Sequence, residues 1–104
     1  MNYKLSITLE AEEDLKETYL WYESKRKGLG HDFLLQVDAK LQLIERDPLL
    51  FTEQYKGVRC SLTKRFPYKI LYHTEGQNII VIAVIYGGRS PKWMKQRIRV
   101  SKFM

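Results

Sequence analysis

The chain is poor in the groups that build the commonest metal and nucleophile chemistries. It holds one cysteine, Cys60, and two histidines, His31 and His73, among 104 residues. One thiol excludes an internal disulfide framework, and three scattered soft ligands do not make a zinc site. The expectation is a reducing cytoplasm as the home, with no metal and no cofactor. Long apolar runs are also missing. The longest, Ile79 to Tyr86, falls far short of a membrane span, so no membrane partner is expected. The opening "MNYKLSITLEAEEDL" alternates and then turns acidic, without the apolar core of a signal peptide. A Gly-x-Ser-x-Gly elbow, a phosphate-binding P-loop and a cysteine paired with an arranged histidine are absent too, which removes the familiar nucleophile and nucleotide schemes.

Acid is short in one half of the chain only. Lys and Arg total 18 against 12 Asp and Glu, for a net charge of +6 and a pI near 9.5. Acids crowd into residues 10–17, whereas from Lys56 onward Glu75 stands alone among many cations. The basic surface therefore belongs to the C-terminal half, and it favours an anionic partner.

What is present reads as one domain over residues 1–104, long enough for a real core. "YKLSIT" alternates as a strand, and Thr8 then caps a helix whose first turns hold Glu10, Glu12, Glu13 and Asp14, as the helix dipole favours. Ala11, Leu15, Thr18, Tyr19 and Tyr22 share one face of it. Lys25, Arg26 and Lys27 close it before Gly28. In a second helix Phe33, Leu34, Val37, Leu41 and Ile44 repeat at helical spacing until Asp47-Pro48 ends it, so residues 10–46 form a helical hairpin.

Downstream, "VRCSL", "YKILYH" and "IIVIAVIY" are strands joined by the turn-rich "TKRFP" and "TEGQN". Ile79 to Ile85 has no polar alternation and should be central. Ser90-Pro91 then starts a short last helix over 92–99, with proline at its first position. The predicted fold is α+β: a small antiparallel sheet packed on one face by the N-terminal hairpin, in the order β-α-α-β-β-β with a short C-terminal helix. The other face should stay open. Alternation sets Val58, Cys60 and Leu62 opposite Arg59 and Ser61, and Tyr68, Ile70 and Tyr72 opposite Lys69, Leu71 and His73, with Arg59 and Lys69 expected to share the open face.

Several side chains are candidates for chemistry, and each has a plainer reading. Arg89 leaves the apolar strand beside Gly87-Gly88, where backbone amides and a guanidinium together suit a phosphate or carboxylate. Arg59 and Lys69 are either anion-binding or ordinary strand residues. Trp93 fits a packing role on the sheet better than base stacking. His73 reads as a polar strand-edge residue, His31 as surface, Tyr68 and Tyr72 as core, and Cys60 as a small buried hydrophobe.

The downstream half, "YKGVRCSLTKRFPYKILYHTEGQNIIVIAVIYGGRSPKW", together with "AEEDLKETYLWY" and "LGHDFLLQVDAKLQLIERDP", resembles the RelE/ParE superfamily, toxins of type II toxin-antitoxin modules. Gly57-Val58-Arg59, "FPYKILY" and the Arg-x-Pro-x-x-Trp of Arg89, Pro91 and Trp93 carry the likeness. The resemblance implies a cognate antitoxin that wraps the toxin, operator DNA met only through that antitoxin, and a plasmid-stabilising or growth-inhibiting role. It leaves two targets open. RelE-like members cut messenger RNA on the ribosome, and ParE-like members poison DNA gyrase without nuclease activity.

RNA cleavage needs a proton acceptor, a proton donor and cations around the phosphorane. Carried over by the resemblance, Lys69 stands where the RelE-like branch has a strand arginine, and Arg89 matches its arginine after the last strand. The paired lysines of the preceding strand are missing from "VRCSL", and the late tyrosine is missing from "SPKWMKQRIRV". Arg59, Lys64, Arg65 and Tyr86 are the substitutes at hand. The incomplete set favours the ParE-like branch, with Arg59, Lys69, Arg89, Lys92 and Trp93 as target- or antitoxin-binding residues. The alternatives are a ribosome-dependent ribonuclease using Lys69 and Arg89, and a toxin fold that has lost toxicity and serves as a binding partner.

Overall fold

A computed structural model describes residues 2–102. The elements run β1 (Lys4–Ile7), α1 (Leu9–Lys25), α2 (Leu29–Arg46), β2 (Glu53–Tyr55), β3 (Val58–Leu62), β4 (Tyr68–Glu75), β5 (Asn78–Tyr86) and α3 (Pro91–Lys102). The strands form one sheet in the order β1-β5-β4-β3-β2. β2 to β5 are antiparallel neighbours, and β1 joins parallel to β5, with Ile7 level with Val81. The α1–α2 hairpin carries the chain from β1 at one edge of the sheet to β2 at the other, and the chain returns through β3 and β4 to lay β5 parallel beside β1.

Thr8 caps α1, its hydroxyl accepting from the Ala11 amide at 3.2 Å. The two helices meet tightly because Gly28, at φ 89°, turns the chain and Gly30 has no side chain at the crossing. A Cβ on Gly30 would lie 2.6 Å from the Tyr19 carbonyl oxygen. The hairpin buries Ala11, Phe33, Val37 and Ile44 against Ile70, Tyr72, Ile79, Val81 and Val84 of the sheet. Phe66, from the turn between β3 and β4, completes an aromatic cluster with Tyr22, Phe33 and Tyr68.

The opposite sheet face is not left open. Val58, Leu71, Ile82, Ala83 and Ile85 form a second apolar cluster, and α3 covers part of it with Met94, aided by Trp93 and Ile98. Two covered faces explain why "IIVIAVIY" shows no polar alternation. A bulge adds to this: Leu71 pairs with Ala83 and Tyr72 with Val81, so Ile82 is the extra residue and both Ile82 and Ala83 serve the α3-side cluster.

The register also corrects the expected placing of two cations. Cross-strand partners share a face, and Arg59 pairs with Tyr72 whereas Lys69 pairs with Leu62. Arg59 thus points to the hairpin side and Lys69 to the α3 side. Arg59 donates to the Phe51 carbonyl at 2.7 Å and holds the loop before β2. β2 itself, only three residues, has too short a sequence signal for alternation to reveal.

Candidate functional site

Beyond Ile7, the chain leaves the sheet into α1, so residues 82–86 of β5 have no strand beside them on that edge. Side chains cap part of it. Asp14 Oδ2 accepts from the Val84 amide at 3.0 Å, and Arg97 Nη1 donates to the Ile82 carbonyl at 3.1 Å. The two side chains also bind each other through paired contacts of 2.7 and 3.0 Å. This bidentate ion pair, drawn from α1 and α3, clamps both helices to the strand.

Further along the same edge a groove of about 440 Å³ opens between α1 and the ends of β4 and β5. Glu17, Thr18, Trp21 and Tyr22 supply its helical wall, and Tyr68, Tyr86 and Arg89 the sheet wall. The Tyr68 ring centroid lies 6.2 Å from those of both Tyr22 and Tyr86. Burial, reinforced by Tyr68 and then Tyr86, pushes the Tyr22 phenol up to about 12, so it stays protonated at neutral pH. Trp21 and Tyr86 are each 54% exposed, a high value for aromatics that share a groove. The Arg89 and Arg97 guanidinium carbons stand 5.0 and 4.8 Å from the Trp93 ring centroid. Such a surface, aromatic with the Arg89 guanidinium stacked on Trp93 at its rim, is suited to gripping a partner's side chains.

The sequence candidates separate in space. Tyr86 and Arg89 line the groove, with Trp93 at its lower end. Lys69, one residue along β4 from Tyr68, faces the α3 side. Lys92 stands on the outward surface of α3 with Lys95, Gln96 and Arg99. Arg65 reaches Asp32 of α2 at 3.5 Å and covers the Phe66 ring, tying the β3–β4 turn to the hairpin. The amides flanking Gly88 are not free for an anion, because Gly87 donates to the Pro67 carbonyl and Arg89 to the Tyr86 carbonyl. His73 is buried with its Nδ1 3.9 Å from Glu75 Oε1, and His31 is exposed. Burial raises the Cys60 thiol, partly offset by Lys69, which makes it a poor nucleophile at neutral pH. No group of three His, Cys, Asp or Glu able to hold a metal occurs among the described residues. No helix of the described residues is long and apolar enough to cross a membrane.

Sequence reasoning missed Asp14 and Arg97. The helix dipole accounts for Asp14 in the sequence, yet the residue sits three positions from Ala11 on the inward face, and that position is its signal. Alternation reads Tyr68 as core and helical spacing puts Tyr22 on the apolar face of α1, and the structure adds that both line the groove.

A helical hairpin laid on a five-stranded mixed sheet with a short C-terminal helix is a fold shared with solved chains of toxin-antitoxin systems. The chain is similar to a solved chain of the chromosomal ParDE toxin-antitoxin system of P. aeruginosa, with TM-score 0.73 and 16% identity over 81% of this chain and 95% of that one. A free-state mutant of the E. coli toxin RelE matches with TM-score 0.70 and 16% identity over 96% and 99% of the two chains. A chain of the RelBE2 toxin-antitoxin complex of Mycobacterium tuberculosis matches with TM-score 0.59 and 16% identity, covering 83% and 99%. No curated protein sequence matches the chain. Residues 5–91 match the family of the ParE toxin of the type II toxin-antitoxin system, parDE, and the chain belongs to that family.

Proposed function

We propose that this protein inhibits growth by poisoning DNA gyrase in the cytoplasm, and that a cognate antitoxin neutralises it by covering the groove beside β5. The separate settings of Lys69, on the α3 face of β4, and Arg89, in the groove beside β5, support the reading on the target. A phosphorane would need both cations converging on one phosphate, yet Arg89 lines the groove with Tyr68 and Tyr86 while Lys69 points to the α3 side of the sheet. A proton acceptor is not evident either, because Tyr22 stays a protonated phenol at neutral pH, able to donate but not to accept, and His73 is buried. A protein-binding inhibitor needs neither. Its demands are exposed aromatic anchors and a cation, and Trp21, Tyr86 and Arg89 meet them.

Purified protein added to gyrase, and separately to ribosomes programmed with a message, tests the target. The expected outcome is accumulation of cleaved DNA with gyrase and intact message on the ribosome. Codon-positioned message cleavage with unaffected supercoiling would overturn the reading in favour of a ribosome-dependent ribonuclease. Co-expression with a small acidic protein from the neighbouring reading frame should yield a complex that survives sizing in moderate salt.

A further inference from the structure

The outward surface of α3 is not used by the groove. Lys92, Lys95, Gln96 and Arg99 lie at offsets of three, four and seven, so they fall on one helical stripe. They line a shallow concavity of about 310 Å³. The helix sequence "PKWMKQRIRVSK" contains no acid to neutralise them. Seven residues of helix span about 10 Å, a length that meets successive phosphates of one strand. The stripe is also rigidly mounted. Met94, 3% exposed, anchors α3 in the second apolar cluster, and the Asp14–Arg97 clamp fixes it to β5 and α1.

We infer that this stripe binds the phosphate backbone of duplex DNA, directly and without regard to sequence. Charge complementarity points to a polyanion, and the composition of the stripe selects the kind. A surface for an acidic peptide carries apolar anchors at its centre, whereas the residues lining this concavity are all polar. A surface for single-stranded nucleic acid carries aromatic platforms for unstacked bases, and among the described residues the aromatic beside the stripe, Trp93, is half-buried against the sheet with two arginines at its ring. Cations with an amide donor, and no stacking platform among the described residues, suit a duplex, where phosphates are the accessible groups. This departs from the expectation that the protein meets DNA only through an antitoxin. Arg89, just before α3, also lines the aromatic groove, so the DNA stripe and the protein-binding groove adjoin.

Fluorescence anisotropy of a labelled 20-base-pair duplex titrated with the full-length protein tests this without gyrase or antitoxin present. Three phosphate contacts give a slope of log K against log salt of about −2.7, a weakening of about 40-fold between 50 and 200 mM salt. The triple variant Lys92→Gln, Lys95→Gln, Arg99→Gln should lose that binding and its salt slope while keeping a native circular dichroism spectrum and melting temperature. Lys25→Gln with Lys27→Gln, at and just beyond the C-terminal end of α1, should bind like the parent. Equal binding by the triple variant, or no binding at 50 mM salt, would overturn the proposal. So would tighter binding of a single-stranded RNA of equal length, which would assign the stripe to RNA, or equal competition by polyglutamate, which would make it a general anion exchanger.

Discussion

Asp14 and Arg97, 83 residues apart in the chain, form a bidentate ion pair in which each group is less than one-sixth exposed, and each also satisfies a backbone group of β5. Asp14 occupies the place where a neighbouring strand's carbonyl would accept from Val84, and Arg97 stands where a strand amide would donate to Ile82. An unfinished sheet edge is therefore sealed by two side chains from two helices, and the same pair adds to Met94, Trp93 and Ile98 in holding α3 to the sheet.

Asp14→Ala leaves a guanidinium and a backbone amide unpartnered at low exposure, and it should cost about 2–4 kcal/mol of stability. Arg97→Leu together with Asp14→Ala should cost less than the sum of the two single changes, because the double variant leaves no lone charge. Urea denaturation of the four proteins in the cycle measures the coupling. Strict additivity would mean that the pair holds nothing together.

Arg89→Ala should abolish or strongly weaken growth inhibition at matched expression. The side chain is exposed and forms none of the clamp's bonds, so stability should change by no more than about 0.5 kcal/mol. Growth curves under induction, paired with a thermal melt of the purified protein, separate the two effects. Undiminished toxicity would remove Arg89 from the binding surface.

Alkaline stability should reflect two phenols, the half-buried Tyr22 and the buried Tyr72. Burial lifts Tyr22 to about 12, with Tyr68 adding to it. Burial likewise lifts Tyr72 to about 12, against the opposing charge of Arg59, and its hydroxyl donates to the Pro48 carbonyl at 2.5 Å. An unfolded tyrosine ionises near 10, so the unfolded state loses protons first as pH rises. Stability is accordingly unaffected by these groups below about pH 10 and falls between about 10 and 12. Tyr22→Phe with Tyr72→Phe should flatten that fall, and denaturant midpoints taken across the interval measure it. An unchanged slope would show that neither phenol is held protonated by the fold.

Gly30→Ala tests the hairpin crossing. The added methyl would meet the Tyr19 carbonyl at 2.6 Å and Glu23 Cγ at 2.7 Å, and the Gly30 amide already donates to Glu23 Oε1 at 2.8 Å. Overpacking of this kind should cost about 1–3 kcal/mol, visible as a lower melting temperature. Gain of stability from the better helix former would mean that the helices part freely.

Much of the scaffold was legible because its signals are local. Thr8 as a cap, Phe33, Val37 and Ile44 as a buried helical face, Pro48 just beyond the end of α2 and Pro91 at the start of α3 all act within a turn or two of their own position. Tertiary structure alone decided the parallel seat of β1, the three-residue β2, the cover that α3 lays over the second face, and the sides taken by Arg59 and Lys69. The last depends on register. Antiparallel pairing admits either phase from alternation alone, and the phase here is set by the turn in which Thr63 donates to the Tyr68 carbonyl and Phe66 enters the core. The clamp lay deeper still: helix-dipole reasoning accounts for Asp14 without Arg97, and only the packing of α1 and α3 against one strand edge joins residues so distant in the chain.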